Sequence, residues 1–194
     1  VQAQTYPNWE LCLADGSDAE HGYVGTIVKE YQKNDPRILY KVLEENYGIS
    51  ENTNRCIEMA TGDYIALFDH DDLLHPGVLY ENMKVITEQG ADFIYTDEMV
   101  FEKDLNHPIT VHCKPDFAID NLRANNYICH FSVFSKKLQE KVGGFRHECD
   151  GSQDFDLVLR LSEKAEKIVH IPKVLYFWRS HAGSVASDIS VKPY

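Results

Sequence analysis

The most constraining feature of this chain is an apolar run that ends abruptly in acidic residues. Residues 64–68 are apolar or aromatic, and Asp69, His70, Asp71 and Asp72 follow them directly. The run has the composition of a strand buried on both faces of an α/β sheet, and such sheets bind ligands beyond the carboxyl ends of their strands. We therefore expect Asp69 and Asp71 at a ligand-binding edge, where carboxylate oxygens suit Mg²⁺ or Mn²⁺.

The acidic cluster has other interpretations. Asp72 or His75 can cap a helix that begins at Pro76, because Pro favours the first helical position. A calcium loop of the EF-hand type does not fit, since its alternating acids, its Gly and its final Glu are missing. A phosphatase of the haloacid dehalogenase type also has Asp-x-Asp after a strand, but Asp72 and Leu73 depart from its pattern.

Composition limits the class of protein. With 194 residues, of which 43% are hydrophobic, the chain can bury the core of one domain. A formal net charge of −12 disfavours nucleic-acid partners, and no apolar stretch is long enough to predict a transmembrane segment. The five cysteines, at positions 12, 56, 113, 129 and 149, lack the spacing of a zinc site or a disulfide framework. We expect a cytoplasmic domain, with the inner face of the membrane as an alternative location.

Hydrophobic periodicity predicts strands and helices that alternate along the chain, which is typical of an α/β fold. The predicted strands are residues 10–14, 38–43, 64–68, 92–95 with an extension towards 101, 127–134 and 168–178. The predicted helices are residues 23–33, 52–60, 76–88, 117–123 and 151–161. Residues 102–115 are polar and contain Pro, so they are predicted to form a loop.

Several short motifs follow one another along the chain. They are Tyr6-Pro7-Asn8-Trp9-Glu10-Leu11, Ala14-Asp15-Gly16-Ser17-Asp18, Gly62-Asp63-Tyr64-Ile65, Asp69-His70-Asp71-Asp72, Lys114-Pro115-Asp116-Phe117, Asn126-Tyr127-Ile128, Gln153-Asp154 and Trp178-Arg179-Ser180-His181. In this order they resemble family 2 glycosyltransferases, in particular bacterial members that build surface polysaccharides.

The resemblance implies a GT-A fold, in which a mixed sheet flanked by helices binds a nucleoside diphosphate sugar, as a single domain over residues 1–194. The family's first strand is not found in the sequence. It would lie between the strand of residues 10–14 and that of residues 64–68, so we expect an N-terminally truncated domain with two open sheet edges.

The resemblance also assigns roles to individual residues. Asp15 matches the carboxylate that recognises the uracil or thymine base; the alternative is an Asp that only forms the turn before Gly16. Asp71 matches a direct metal ligand, and Asp69 matches a ligand of the ribose or of a metal-bound water. The metal, Mg²⁺ or Mn²⁺, would bridge the diphosphate.

Three positions near the C-terminus complete the expected site. Asp154 matches the catalytic base, with Gln153 in place of the family's Glu; the alternative is a carboxylate that only favours the start of a helix. We prefer Asp154 to Asp156, which lies about 200° further around the helix. His181 matches a residue that approaches the metal in some relatives, or is a surface histidine, and Arg179 is suited to the diphosphate charge.

The sequence thus predicts an inverting, metal-dependent glycosyltransferase that uses a UDP or dTDP sugar. Its acceptor is expected to be a hydroxyl of a glycan or a lipid-linked molecule, in surface polysaccharide synthesis and within a larger polypeptide. One alternative is a non-catalytic module that binds nucleotide or glycan in a larger synthase, as the missing strand and Gln153 suggest. A lower-ranked alternative is a phosphatase with Asp69 as its nucleophile.

Overall fold

A computed structural model describes residues 1–180 of the chain, and these residues form an α/β fold. The strands are β1 (Leu11–Asp15), β2 (Ile38–Val42), β3 (Tyr64–Ala66), β4 (Leu73–Leu74), β5 (Phe93–Phe101), β6 (Pro108–His112), β7 (Ser132–Ser135) and β8 (Ile168–Arg179). The α-helices are α1 (Tyr23–Gln32), α2 (Ile49–Met59), α3 (Val78–Gln89), α4 (Ile119–Ala124), α5 (Lys136–Val142) and α6 (Gln153–Lys164).

The strands form two sheets. In the small sheet β1 and β2 are parallel, with Leu11 opposite Ile38. The large sheet has the order β3-β7-β5-β8-β4, and β6 adds to one part of β5. Within it β5 is parallel to β8 and antiparallel to β6 and β7, so the large sheet is mixed.

The core forms on both faces of β5, because alternate side chains of a strand point to opposite faces. Phe93 and Tyr95 pack on one side with Leu157 of α6 and Leu122 of α4. Ile94 packs on the other side in a cluster with Val78 of α3. Helices therefore cover both faces of the large sheet, as the buried apolar pattern of β5 requires. Among residues 1–180, no helix combines the length and the apolar composition that crossing a bilayer requires.

Most predicted elements are confirmed, but two local predictions are wrong and two short elements were not predicted. The predicted loop 102–115 contains β6, in which Ile109 and Val111 alternate with polar residues although all five residues are exposed. The predicted strand 127–134 begins only at Ser132. The strand β4 has two residues, too few to show an alternation of apolar and polar side chains. The helix α5 follows directly on β7. The sequence signal for α5 is Ser135, whose hydroxyl accepts a hydrogen bond from the Leu138 N–H at 3.1 Å and caps the helix.

A cleft of about 1290 Å³ separates the two sheets. The cleft is bordered by β1 on one side and by β3 on the other. The partner of β1 is β2, and the partner of β3 is β7. Two buried polar atoms of residues that line it, Trp9 Nε1 and Asn82 Oδ1, have no hydrogen-bond partner among the described residues. The expected gap between these two strands is therefore present. The side chains along it are largely apolar and include Leu11, Ile57, Ile65, Leu67 and Leu79.

Glu10 joins the two sheets at one end of this cleft. Its carboxylate accepts hydrogen bonds from Gly62 N at 2.8 Å, from Thr61 Oγ1 at 3.0 Å and from the Thr61 N–H. Burial opposes the charge of Glu10, but these bonds and nearby Lys136 outweigh burial and lower the pKa of Glu10 below its ordinary value of 4.5. The ionised carboxylate therefore favours the folded state.

We expect Glu10→Gln to melt about 3 °C lower than the wild type near neutral pH, because charge-assisted hydrogen bonds are lost. A carboxyl whose pKa is lowered on folding contributes stability above its unfolded pKa, and this contribution disappears as the pH falls through the folded value. The difference in melting temperature should thus narrow as the pH falls below 4.5, the ordinary pKa of Glu10. Thermal unfolding at a series of pH values checks this.

Glu30→Gln is the matched control, since its ion pair with Lys33 is exposed and should change the melting temperature by less than about 1 °C. A Glu10→Gln difference that persists in acid would show that the charge of Glu10 does not link the sheets.

Candidate active site

The acidic residues after β3 form a turn that is held against β8. Asp72 is buried; its Oδ2 accepts from the Tyr176 hydroxyl at 2.5 Å and its Oδ1 from Arg179 N at 2.7 Å. Arg179 Nε also donates to the backbone carbonyl of Asp71 at 2.8 Å. Both oxygens of Asp72 are thus used to fix the turn. The side chain of Asp69, in contrast, is 59% exposed.

His130 lies beside this turn. Its Nε2 is 3.9 Å from Asp69 Oδ2, and its ring stacks on Tyr176 with the ring centres 4.9 Å apart. One ligand atom each from Asp69, Asp72 and His130 lie within 4.8 Å of one another, a spacing that a single cation can occupy. The sequence did not predict His130, which is 61 positions from Asp69 and carries no motif of its own. The predicted ligand His181 lies outside the described residues.

Asp154 is the second residue of α6 and faces the segment before β7. Its Oδ2 accepts from Asn126 Nδ2 at 2.9 Å, and the Cys129 thiol donates to the same oxygen at 3.7 Å. Asp156 instead forms an ion pair with Arg160 at 2.6 Å. The two carboxylates of this helix therefore have different partners, as their separation around the helix predicts.

Gln153, which replaces the family's Glu, accepts a hydrogen bond from Gly151 N at 2.8 Å through its Oε1. Its side chain therefore contacts the segment just before α6.

Residues 126–130, which we call the bridging loop, connect these two acidic regions. Asn126 and Cys129 contact Asp154, and His130 lies near Asp69. Burial raises the pKa of Cys129 well above its ordinary value, and the negative charges of Asp154, Glu98 and Asp69 raise it further. Asp69 and Asp154 thus lie within electrostatic range of one buried thiol, although they are 85 positions apart in the sequence.

Asp15 ends β1 in the small sheet. Its Oδ1 accepts from Ser17 N at 2.9 Å, and its Oδ2 accepts from the Tyr40 hydroxyl. Burial works against the charge of Asp15, but these contacts outweigh burial and lower its pKa. Burial, followed by the contact with Asp15, raises the pKa of Tyr40 to about 12. A Cβ at Gly25 of α1 would lie 2.8 Å from the Tyr40 hydroxyl oxygen, so glycine at this position leaves room for the pair.

The segment after β2 links the small sheet to the start of α6. Ser50 Oγ donates to the Arg146 carbonyl at 3.2 Å and also to the Asp150 carboxylate. The region that holds Asp15 and the region that holds Asp154 are therefore connected through Ser50.

The chain is similar in sequence to known proteins. Residues 1–143 match the family described as Glycosyl transferase family 2. The chain is 43% identical over 197 residues to the uncharacterised protein y4gI of Sinorhizobium fredii, covering 100% of this chain and 22% of that protein. It is 32% identical over 189 residues to the O-antigen biosynthesis protein RfbC of Myxococcus xanthus, covering 96% of this chain and 15% of that protein.

A solved structure shares the fold. Staphylococcus aureus TarS 1–349 in complex with UDP-GlcNAc superposes with a TM-score of 0.77 at 18% identity, covering 95% of this chain and 54% of that one. The GT-A fold is thereby confirmed. The chain spans less than a quarter of the length of the two curated relatives named above. Since the family match covers most of its residues, the chain belongs to glycosyl transferase family 2.

Proposed function

We propose that this chain is the catalytic domain of an inverting glycosyltransferase that moves a sugar from a UDP or dTDP sugar to a hydroxyl of a glycan or lipid-linked acceptor. The observation that carries the proposal is the bridging loop, which brings the acidic turn after β3 and the carboxylate of Asp154 to one region. The similarity to an O-antigen biosynthesis protein and to a structure that binds UDP-GlcNAc supports surface polysaccharide synthesis and a uridine nucleotide.

Asp154 is assigned as the general base. In an inverting transfer the acceptor oxygen forms a bond to the anomeric carbon while the bond from that carbon to the diphosphate breaks on the opposite side. The acceptor hydroxyl gives its proton to a carboxylate within hydrogen-bond reach. Asn126 and Cys129 both contact Oδ2 of Asp154, so we assign Oδ1 to the acceptor hydroxyl. The nucleoside diphosphate is the leaving group.

The acidic turn fits a divalent cation. Its donor set combines carboxylate oxygens with one imidazole, and the ligand atoms of Asp69, Asp72 and His130 are close enough to share one ion. Of these three residues, Asp69 and His130 are assigned to Mg²⁺ or Mn²⁺, while Asp72 holds the turn in place. Asp71 and His181 are added as ligands because they match family positions. The cation would neutralise the diphosphate in a protein whose net charge is −12.

Asp15 and Arg179 are assigned to the nucleotide. The Asp15 carboxylate can accept a hydrogen bond from the N–H of a uracil or thymine ring. Arg179 contributes positive charge near the diphosphate, and its backbone and side chain both hold the acidic turn.

We expect Asp71→Ala and Asp69→Ala each to weaken UDP binding in the presence of Mn²⁺ by at least about tenfold, because a carboxylate ligand of the cation is lost. Titration calorimetry with UDP, with and without Mn²⁺, measures this effect. Asp63→Ala is the control, since its side chain is exposed at the start of the same segment. If all three variants bound UDP in the presence of Mn²⁺ as tightly as the wild type does, the metal assignment would be rejected.

A non-catalytic binding module remains the alternative, because Gln153 replaces the family's Glu and the cleft separates the two sheets. Sugar transfer distinguishes the two functions. UDP sugars are supplied with Mn²⁺ to the natural polypeptide that contains this sequence, and release of UDP and formation of a glycosylated product are measured. Transfer would exclude the binding module, and tight UDP binding without any turnover would exclude the enzyme.

A further inference from the structure

Lys114 is a buried cation just beyond β6, and its side chain is 3% exposed. Its Nζ donates to Glu98 Oε2 at 2.9 Å, to the Ile128 carbonyl at 2.7 Å and to the His130 carbonyl. A lysine ammonium has three donors, so these three contacts use all of them. Lys114 therefore ties β5, through Glu98, to two carbonyls of the bridging loop.

The backbone that Lys114 holds is unusual. Cys129 has a φ of +29°, a left-handed conformation that residues other than glycine rarely adopt. The carbonyls on both sides of Cys129 accept from Lys114, and the Cys129 carbonyl accepts from Ser132 Oγ at 2.8 Å. Three successive carbonyls are thus held by buried donors, so the surrounding structure fixes the strained residue.

The Glu98–Lys114 pair is poorly explained by stability alone. Removing two charges from water is costly, and buried ion pairs can often be replaced by apolar residues without loss of stability. Glu98 has a second partner, His112 Nδ1, at 2.8 Å from its other oxygen, which fixes the carboxylate further. The better-supported role of such a pair is to fix one arrangement of the chain, and here that arrangement is the bridging loop.

We propose that Lys114, oriented by Glu98, is a positioning residue for sugar transfer, which holds the bridging loop so that Asp154 and the acidic turn keep their relative placement. This inference rests on the proposed function. Lys114 contacts the backbone carbonyl of His130 but neither its imidazole nor Asp154. It acts on Asp154 through Asn126 and Cys129, and on Asp69 through His130.

The first test is kinetic. Lys114→Met should lower kcat for transfer from the UDP sugar that the wild type uses by about 100-fold, because a displacement near 1 Å costs that much in catalysis. KM for the donor should change by less than kcat does, since the nucleotide contacts of Asp15 are not altered. Lys173→Met is the matched control, because its ion pair with Glu81 at 2.7 Å is half exposed and lies away from the bridging loop.

Lys114→Met leaves Glu98 buried without its cation, which can prevent folding. A second variant keeps the test valid in that case. In Glu98→Leu/Lys114→Met both charges are removed, which buried pairs tolerate better than the loss of one partner. This double variant should melt within about 5 °C of the wild type and still lose kcat by about 100-fold. A folded double variant with wild-type kcat would overturn the proposal.

The third measurement needs no enzyme activity, so it separates failure of this inference from failure of the proposed function. The backbone amides of residues 126–130 should exchange with deuterium at least about tenfold faster in the double variant, because a released loop opens more often. The amides of α3 serve as the internal reference. Exchange of residues 126–130 that is unchanged in both variants would overturn the proposal.

Discussion

Asp154→Asn should reduce sugar transfer by about 10³-fold, within the range that general-base catalysis contributes, while UDP binding in the presence of Mn²⁺ changes by less than about twofold. The amide of Asn has the size of the carboxylate and can still contact Asn126 and Cys129. It cannot take the proton of the acceptor hydroxyl. The measurement is kcat for transfer from a UDP sugar together with calorimetric binding of UDP.

Asp156→Asn is the matched control on the same helix. It removes the charge that pairs with Arg160, whose side chain is 13% exposed, so it should lower the melting temperature and leave kcat within about threefold of the wild type. The opposite result, with transfer lost in Asp156→Asn and kept in Asp154→Asn, would reassign the base.

The second large effect concerns the cleft between the sheets. We propose that an additional apolar strand lies there between β1 and β3. Strands with an open edge have backbone groups that remain to be paired, and the cleft is lined mainly by apolar side chains. Trp9 Nε1 is a buried donor and Asn82 Oδ1 a buried acceptor, and a polypeptide backbone can satisfy both.

An apolar strand of about six residues, joined ahead of Val1 by a Gly/Ser linker, should raise the melting temperature by about 10 °C. Val1 itself borders the cleft, so the linker can be short. The amides of β1 and β3 should then exchange more slowly with deuterium. The control carries Pro at the centre of the added strand, which removes one backbone donor and disfavours pairing. Equal melting temperatures for the two fusions would contradict the proposed strand.

The sequence predicted the elements that have strong apolar patterns, and the structure places those elements as expected. The strand of residues 92–101 is buried on both faces, and the α6 acids separate around the helix because helical geometry allows little else. β6 escaped prediction because Pro108 and the polar residues around it indicated a loop, although Ile109 and Val111 alternate with Thr110 and His112.

The site residues that the sequence did not predict were missed for one physical reason. The contact of His130 with Asp69 spans 61 positions, and that of Lys114 with the His130 carbonyl spans 16. No local pattern encodes such contacts. Both lie in or next to segments that the sequence described only as strand or loop. Asp15, Asp69 and Asp154 could be selected beforehand through their match to family motifs. Their local positions alone did not suffice, because turns and helix starts also favour Asp.

Polar contacts attach the small sheet and α2 to the rest of the described chain, namely Glu10 against residues 61–62, Ser50 against residues 146–150 and Asn54 against Phe145. Ile57 of α2 adds apolar packing against the core cluster that contains Leu157. Asp15, which we propose to contact the nucleotide, is in the small sheet, whereas Asp154 and the bridging loop belong to the remainder of the chain. In the proposed enzyme the base of the donor and the acceptor would therefore be recognised by different parts of the fold, so that donor preference and acceptor preference could evolve through separate substitutions.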